Sequence, residues 1–304
     1  MDGATPRYFP TFQKDFSELT KLYRDANDGV CGVIVGDLGN KGGCGSRFGC
    51  AWCTVIGDKD KSLESLISED STLYGYMEGL VKFREYLLAI RWDLSSRDYR
   101  GRFVSKTNFM KVTPDYFSPR GKRQLVRFLL TLDKKEEERA AEWDRLWHEG
   151  KIEHTEENAL LKYPMFQFIK YSDILAIDFA WSISRDWDEC SPAAQDWIAV
   201  HDFGVKYEIP TIKPFERVQI PPVRWFDVSV PVNNVVGLKG LIPSGHKLKE
   251  LKVDYAKTMH IEEGAGWSYL NMVRENYYDL DGIDPSECCR IILHHGWLKM
   301  QPHE

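Results

Sequence analysis

The chain has 304 residues, of which 43% are hydrophobic and 28% charged, and these proportions exclude a disordered chain and a small disulfide scaffold. Its formal net charge of −6 excludes a surface that is basic throughout, so any contact with DNA or RNA has to be local. No apolar run approaches the ~20 residues that cross a bilayer, and the amino end lacks the pattern of a secretory signal. We therefore expect a cytoplasmic location, reduced thiols and no membrane partner.

The first predicted element is a helix near the amino end, where Phe16, Leu19 and Tyr23 recur at helical spacing. A glycine-rich loop follows from about residue 29 to residue 58. Because glycine offers no side chain to pack and loses the most entropy on ordering, burial alone does not organise such a loop. The loop contains four of the seven cysteines, namely Cys31, Cys44, Cys50 and Cys53.

The spacing of these four cysteines, C-x12-C-x5-C-x2-C, is typical of a metal centre bound by thiolates. Structural zinc usually takes two short Cys-x2–4-Cys pairs, and this loop has only one, between Cys50 and Cys53. An iron–sulfur cluster tolerates uneven spacing and takes four thiolates. Three interpretations stay open from the residues alone: an iron–sulfur cluster, which the spacing favours, a zinc site, or four cysteines without a metal.

The other three cysteines, Cys190, Cys288 and Cys289, lie far from this loop in the sequence. Scattered cysteines are most often small buried apolar residues. Neighbouring cysteines such as Cys288 and Cys289 form strained disulfides at best, so no role is assigned to them.

The residues of the loop resemble a known family, and the most specific part is Ser46–Cys53, with the sequence Ser-Arg-Phe-Gly-Cys-Ala-Trp-Cys. This segment resembles the iron–sulfur part of the DndC-like sulfurtransferases of bacterial DNA phosphorothioation, in the phosphoadenosine phosphosulfate (PAPS) reductase superfamily. The similarity covers a little over half of the chain and ends by about residue 185. It also includes residues 22–27, 60–64, 83–85, 90–91, 100–102 and, more weakly, 118–123.

The resemblance implies a [4Fe–4S] cluster on Cys31, Cys44, Cys50 and Cys53. It also implies a role in placing sulfur on the DNA backbone instead of a non-bridging phosphate oxygen. Members of that family carry a nucleotide-binding α/β domain with a Ser-Gly-Gly-x-Asp-Ser loop ahead of the cluster, and this sequence contains no such loop. We therefore expect a separate nucleotide-binding subunit, or a split or truncated gene. Whether the chain is an enzyme by itself stays open.

The remaining elements are predicted from apolar spacing, capping residues and proline content. In chain order they are a helix over 63–67 capped by Ser62, a helix over 77–92, a long helix from Ser118-Pro119 to His148 that Gly150 ends, a short helix capped by Thr155, a helix around Ile174–Trp181, a proline-rich region with short strands over 210–243, and a helix over 267–278.

These elements predict an α+β fold that is mainly helical, with a Gly/Cys-rich loop module followed by helices and a proline-rich, strand-containing carboxy-terminal subdomain. The predicted domains are an iron–sulfur module with flanking helices over residues 1–115, a helical segment over 116–185 and a mixed α/β subdomain of unknown role over 186–304.

The segment from Arg97 to Arg127 is the second candidate functional site. It contains nine basic residues but only two acidic ones, and five aromatic residues lie among them. Lysine and arginine contact phosphates, and aromatic rings stack on exposed bases. The alternative is a solvated surface that balances the acidic stretch 133–157. Arg47, between two predicted ligands, either offsets the charge of a cluster, contacts an anionic substrate or forms a surface ion pair. The candidate contacts are Arg47, Arg100, Arg102, Arg120, Lys122 and Arg123.

The main hypothesis is the cluster-bearing part of a DndC-like sulfurtransferase, acting on DNA with a nucleotide-binding partner. The alternative is a non-catalytic module, stapled by zinc or an iron–sulfur centre, in a nucleic-acid-processing or defence complex. A reductase of small sulfonucleotides is a third option. The missing phosphate-binding loop argues against it.

Overall fold

The computed structural model describes residues 61–104, 108–184, 187–227 and 259–300. The chain forms two compact units. The amino-terminal unit comprises residues 1–91, 135–166 and 209–215, and the carboxy-terminal unit comprises residues 92–134, 167–208 and 216–304. Helices dominate and the sheets are small and antiparallel, so the predicted α+β class is confirmed. The predicted domain limits stay predictions.

The described part of the amino-terminal unit is helical. Its elements are α1 (Lys61–Glu69), α2 (Ser71–Tyr74), a 3-10 turn (Gly75–Met77), α3 (Glu78–Ala89), the second half of α4 (Pro119–His148) and α5 (Glu156–Leu160). Asp70 starts α2, because its carboxylate accepts hydrogen bonds from the amides of Thr72 and Leu73 at 2.9 and 3.0 Å. Ser62 lies inside α1, which already includes Lys61, so the predicted cap at Ser62 is wrong.

Two residues of α4 hold the chain that follows α5. Glu136 is buried and accepts a hydrogen bond from the amide of Met165 at 2.7 Å. Arg139 binds Glu136 through two nitrogens and also donates to the carbonyls of Leu161 and Tyr163. Because backbone groups of a loop need partners when they are covered, this ion pair fixes the loop on the helix.

Both predicted boundaries of α4 and the predicted cap of α5 agree with the structure. The helix begins at Pro119, ends at His148 and is followed by Gly150 with φ of 70°. Thr155 caps α5, since its hydroxyl accepts the amide of Asn158 at 3.1 Å. Capping residues and proline act locally, and this is why the sequence predicts these boundaries well.

The sheet of the carboxy-terminal unit contains β1 (Arg97–Val104), β2 (Phe109–Phe117) and β3 (Arg224–Asp227), with β2 in the middle. Arg97 lies opposite Phe117, and Met110 lies opposite Phe226. The hairpin of β1 and β2 falls within the predicted basic segment, where the sequence analysis predicts no strand.

Four helices form the core of this unit: α6 (Tyr171–Ser184), α7 (Pro192–His201), α8 (Ala265–Glu275) and α9 (Glu287–His294). A two-stranded sheet of β4 (Met259–Ile261) and β5 (Leu298–Met300) accompanies them. Ile174, Leu175, Leu270 and Ile292 are fully buried in the core cluster. The sequence predicts α6 and α8 but neither α7 nor α9, which are short.

The start of α8 approaches the start of α6 very closely. A Cβ atom on Gly266 would lie 2.3 Å from the carbonyl carbon of Tyr171, a distance that real Cβ atoms do not reach. Only glycine therefore fits at this position without a shift of the backbone.

Among the described residues, no helix combines the length and the apolar character needed to cross a bilayer.

Candidate functional site

The predicted metal ligands lie outside the described residues. Cys31, Cys44, Cys50 and Cys53 all precede Lys61, the first residue that the structure describes, as does Arg47. The predicted helix near Phe16–Tyr23, the glycine-rich loop and residues 228–243 of the proline-rich region also lie outside the described residues. Within the described ranges, no group of three or more His, Cys, Asp or Glu side chains could hold a metal ion. The ligand set therefore stays a prediction.

The structure places the other candidate contacts on two neighbouring pieces of chain in the carboxy-terminal unit. Arg100 and Arg102 lie on β1, and Arg120, Lys122 and Arg123 lie in the first two turns of α4. Ser118, between β2 and α4, donates its amide to the carbonyl of Ser96 at 2.8 Å and thereby fixes the start of α4 beside the start of β1.

Asp98 and Asp115, the two acidic residues of the basic segment, are both neutralised within it. Asp98 binds Arg100 at 3.2 Å, and Asp115 binds Lys111 at 2.8 Å. Burial alone would raise the pKa of Asp98, but hydrogen bonds from Arg100 and the charge of Lys122 outweigh burial and hold its pKa below the ordinary value. These pairs lower the excess of positive charge on the hairpin.

Arg123 is a partly buried ion-pair residue rather than a surface cation, with a side chain that is 15% exposed. Its guanidinium donates to Asp196 at 2.8 and 3.0 Å and to Glu189 at 2.8 Å. Burial would lower the pKa of Arg123, but the two carboxylates outweigh burial and raise it. Arg127 shares Asp196 at 2.9 Å and stacks over Tyr207. Arg123 thus ties α4 to α7, which the sequence analysis did not foresee.

Arg120 is the candidate that the structure leaves most available. Its side chain is exposed, and it has no ion-pair partner among the residues that the structure describes. Together with Lys122 and Arg100 it forms the basic surface, a name that we keep for these three residues. An anionic polymer could approach this surface at the start of α4, where the helix dipole also favours negative charge.

A second polar cluster, which the sequence analysis missed, lies in the core of the same unit. Asp178 is fully buried on α6. Its carboxylate accepts hydrogen bonds from the amides of Ala193 and Ala194 at 2.7 and 2.9 Å, and from the hydroxyl of Tyr269 at 2.9 Å. We call Asp178, Cys190, Ser191, Tyr269 and Cys288 the Asp178 cluster.

The carboxyl group of Asp178 caps the start of α7. Ser191 precedes Pro192 at the start of α7 and makes no side-chain cap to this helix. Its φ and ψ of 57° and 45° are left-handed, an unusual conformation for serine. The hydroxyl instead lies 3.5 Å from the sulfurs of both Cys190 and Cys288. Asp178 therefore satisfies amides that would otherwise be buried without a partner.

Burial controls the electrostatics of this cluster. It raises the pKa of Asp178 to about 7, although the three hydrogen bonds to the carboxylate oppose the rise. All five members are at most 2% exposed. The cluster is therefore closed to a substrate in this conformation, and its chemistry is limited to hydrogen bonding, proton binding and reactions of its thiols.

One sequence feature could have indicated the Asp178 cluster. The dipeptide Ser191-Pro192 repeats the helix start Ser118-Pro119, and an acidic residue interrupts the apolar face of α6 between Ile174 and Trp181. A buried acidic side chain can cap a helix that belongs to another part of the chain. The sequence alone does not show that Asp178 lies next to the start of α7.

Comparison with family models, curated proteins and solved structures found no match to this chain. The resemblance to DndC-like sulfurtransferases therefore stays an expectation from the motif residues.

Proposed function

We propose that this chain binds an iron–sulfur cluster through Cys31, Cys44, Cys50 and Cys53, and is the cluster-bearing component of a PAPS reductase-family sulfurtransferase in DNA phosphorothioate modification. The observation that carries the proposal is the set of four cysteines at C-x12-C-x5-C-x2-C spacing, among glycines, with the Ser46–Cys53 segment at its centre. A glycine-rich loop that cannot organise itself by burial gains its folding energy from the metal centre.

The chemistry of the donor set fits an iron–sulfur cluster. Four thiolates satisfy the four ligand positions of a [4Fe–4S] cluster, and glycine lets backbone amides come close to the sulfurs. The three cysteines of the described part have other partners: Cys190 and Cys288 lie in the Asp178 cluster, and the thiol of Cys289 donates to the carbonyl of Ser286 at 3.1 Å. This supports a ligand set confined to the four cysteines of the loop. When bound, such a cluster supplies redox chemistry and an affinity for sulfur.

The basic surface supports a DNA substrate. Arg100, Arg120 and Lys122 lie at the junction of β1 and α4 and present positive charge to solvent, as phosphate contacts require. In this proposal Arg123 stabilises the basic surface and does not contact phosphate itself, because its guanidinium already binds two carboxylates.

The nucleotide chemistry is assigned to a partner. The sequence has no Ser-Gly-Gly-x-Asp-Ser loop, and Gly39–Gly43 lacks the Gly-Lys-Ser/Thr that binds phosphates and magnesium. We therefore propose that a nucleotide-binding subunit, or the other half of a split protein, supplies this chemistry. A non-catalytic module with a zinc or iron–sulfur staple, in a nucleic-acid-processing or defence complex, is the alternative. It is favoured by this missing loop.

Metal analysis of protein purified without oxygen tests the proposal. The iron–sulfur protein should be brown, with broad absorbance near ~400 nm, and should contain iron and acid-labile sulfide. A colourless protein with one zinc would support the alternative module and contradict the cluster.

Two cysteine variants make the assignment specific. Cys50→Ser should lose most of the iron and the absorbance, because it removes one of four ligands. Cys289→Ser is the matched control, since it makes the same chemical change at a described cysteine outside the predicted ligand set. Full retention of metal by Cys50→Ser would contradict the ligand assignment.

A further inference from the structure

The thiols of Cys190 and Cys288 lie near one another in the core of the carboxy-terminal unit. Cys190 lies just before α7, and Cys288 lies in the first turn of α9. Each is 1% exposed, and both are free thiols. The hydroxyl of Ser191 lies 3.5 Å from each sulfur, so both thiols contact the same side chain.

Cys289, although next to Cys288, is not part of this pair. Its thiol donates to the carbonyl of Ser286 at 3.1 Å, one turn back toward the start of α9. A helix places successive side chains about 100° apart, so residues 288 and 289 face different directions. The structure therefore distinguishes one cysteine of the neighbouring pair from the other.

We propose that Cys190 and Cys288 are a reversible redox pair, which a low-molecular-weight disulfide oxidises to an intramolecular disulfide. One thiolate attacks a sulfur of the reagent, which forms a mixed disulfide and releases the first thiol. The second cysteine then attacks the protein sulfur of that mixed disulfide, which closes the bond and releases the second thiol. Two cysteine thiols and one external disulfide thus become one protein disulfide and two external thiols.

The environments of the two sulfurs assign the order of attack. The neighbouring thiol of Cys288 lowers the pKa of Cys190 to about 7, against the effect of burial. The neighbouring thiol of Cys190 and burial raise the pKa of Cys288. Cys190 also follows Asp188 and Glu189, which are exposed. Cys190 is therefore the attacking thiol, because it ionises more readily and lies beside the surface.

Burial makes the reaction depend on local opening. Both sulfurs are covered in this conformation, so the reagent reaches Cys190 only when residues 187–191 move away from the core. Low concentrations of urea, below those that unfold the protein, should accelerate the oxidation. Once formed, the disulfide joins the start of α7 to α9 and restricts the unfolded chain, so it should raise the urea concentration at which the protein unfolds.

Peptide mapping of the full-length protein tests this proposal without any substitution. Reduced protein is incubated with oxidised glutathione, its free thiols are alkylated, and it is digested with trypsin. We expect a cross-linked species of peptides 186–206 and 275–290, which contain Cys190 and the pair Cys288 and Cys289. Its mass should be about 2 Da below the sum of the two reduced peptides with Cys289 alkylated, and dithiothreitol should separate it into these two peptides.

Variants identify the partner and exclude other cysteines. Cys289→Ser should form the cross-link as the wild type does, whereas Cys288→Ser should lose it and stop at a glutathione adduct on Cys190. The proposal would be overturned by absence of the cross-link at every urea concentration below unfolding, or by a cross-link that survives Cys288→Ser but not Cys289→Ser. Because the readout is a specific peptide pair, the four cysteines of the predicted metal site do not affect it.

Discussion

Two helices of the carboxy-terminal unit begin with Ser-Pro and are stabilised in opposite ways. At the start of α4, the hydroxyl of Ser118 accepts the amide of Gly121 at 3.2 Å, which is the ordinary local cap. At the start of α7, Ser191 makes no such bond, and the buried carboxylate of Asp178 accepts the amides of Ala193 and Ala194 instead.

The difference shows how burial changes the way a helix start is satisfied. α4 begins at the edge of the basic surface, among exposed and partly exposed residues. α7 begins in the core, where an amide without a partner costs much more, and there the carboxyl group of Asp178 on another helix accepts these amides. A local cap can be predicted from sequence, whereas a cap supplied by another helix depends on the tertiary fold.

The largest expected effect is therefore at the buried cap. Asp178→Ala leaves two amides and one hydroxyl in the core without an acceptor, and we expect it to lower the free energy of unfolding by about 3 kcal/mol. Ser118→Ala, the matched surface change, should lower it by about 1 kcal/mol. Urea unfolding followed by circular dichroism measures both. Equal losses would show that burial does not distinguish the two helix starts.

The ion pair between the two helices should give the next largest effect. Arg123→Met keeps the apolar stem but leaves Asp196 with Arg127 alone, and we expect a loss of about 2 kcal/mol in the free energy of unfolding. Arg120→Met, one turn earlier on the exposed side, should change it by less than about 0.5 kcal/mol. If Arg120→Met proved the more destabilising of the two, the structural role assigned to Arg123 would be wrong.

The buried cap should also make stability depend on pH. The pKa of Asp178 is raised to about 7 in the folded protein, above the value of about 4 in an unfolded chain. Its contribution is fully present below about pH 4 and is lost as the pH rises to about 7, at about 1.4 kcal/mol per unit. Asp178→Asn, which does not titrate, should lack this slope. Identical pH profiles for the two proteins would contradict the raised pKa.

The smallest effect concerns DNA binding at the basic surface. Arg120→Glu should weaken binding of duplex DNA and reduce the dependence of log K on log salt concentration by about 1, since one phosphate contact is lost. Lys82→Glu on α3 makes an equivalent charge reversal at an exposed position outside this surface and should leave binding nearly unchanged. Fluorescence anisotropy at several salt concentrations measures both variants. A similar loss for both would indicate a nonspecific response to net charge.

The sequence predicts those parts of the fold that local chemistry determines. Pro119 and Gly150 bracket α4, and Thr155 starts α5, because each residue acts within one turn of its own position. It does not predict the hairpin of β1 and β2, because these strands are stabilised by pairing, including the pairing of β2 with the distant β3. Charged residues along them indicate a surface but do not indicate its conformation.

Of the two candidate sites, the sequence predicts the four-cysteine motif but not the Asp178 cluster. The four-cysteine motif is a short pattern, so the sequence alone supports the metal hypothesis. The Asp178 cluster combines residues from α6, α8, α9 and the segment just before α7. Its members are separated by up to 110 positions, between Asp178 and Cys288. No spacing rule relates such residues before the fold brings them together.

Gly264 and Gly266, two glycines at the start of α8, should respond to mutation very differently. Gly264 has φ of 75° and open space around its Cα, so asparagine, which tolerates that conformation, should be accepted there. Gly266 has backbone atoms of Tyr171 where its side chain would be. A library of all amino acids at both positions, selected for soluble protein, should keep several residues at 264 and glycine alone at 266.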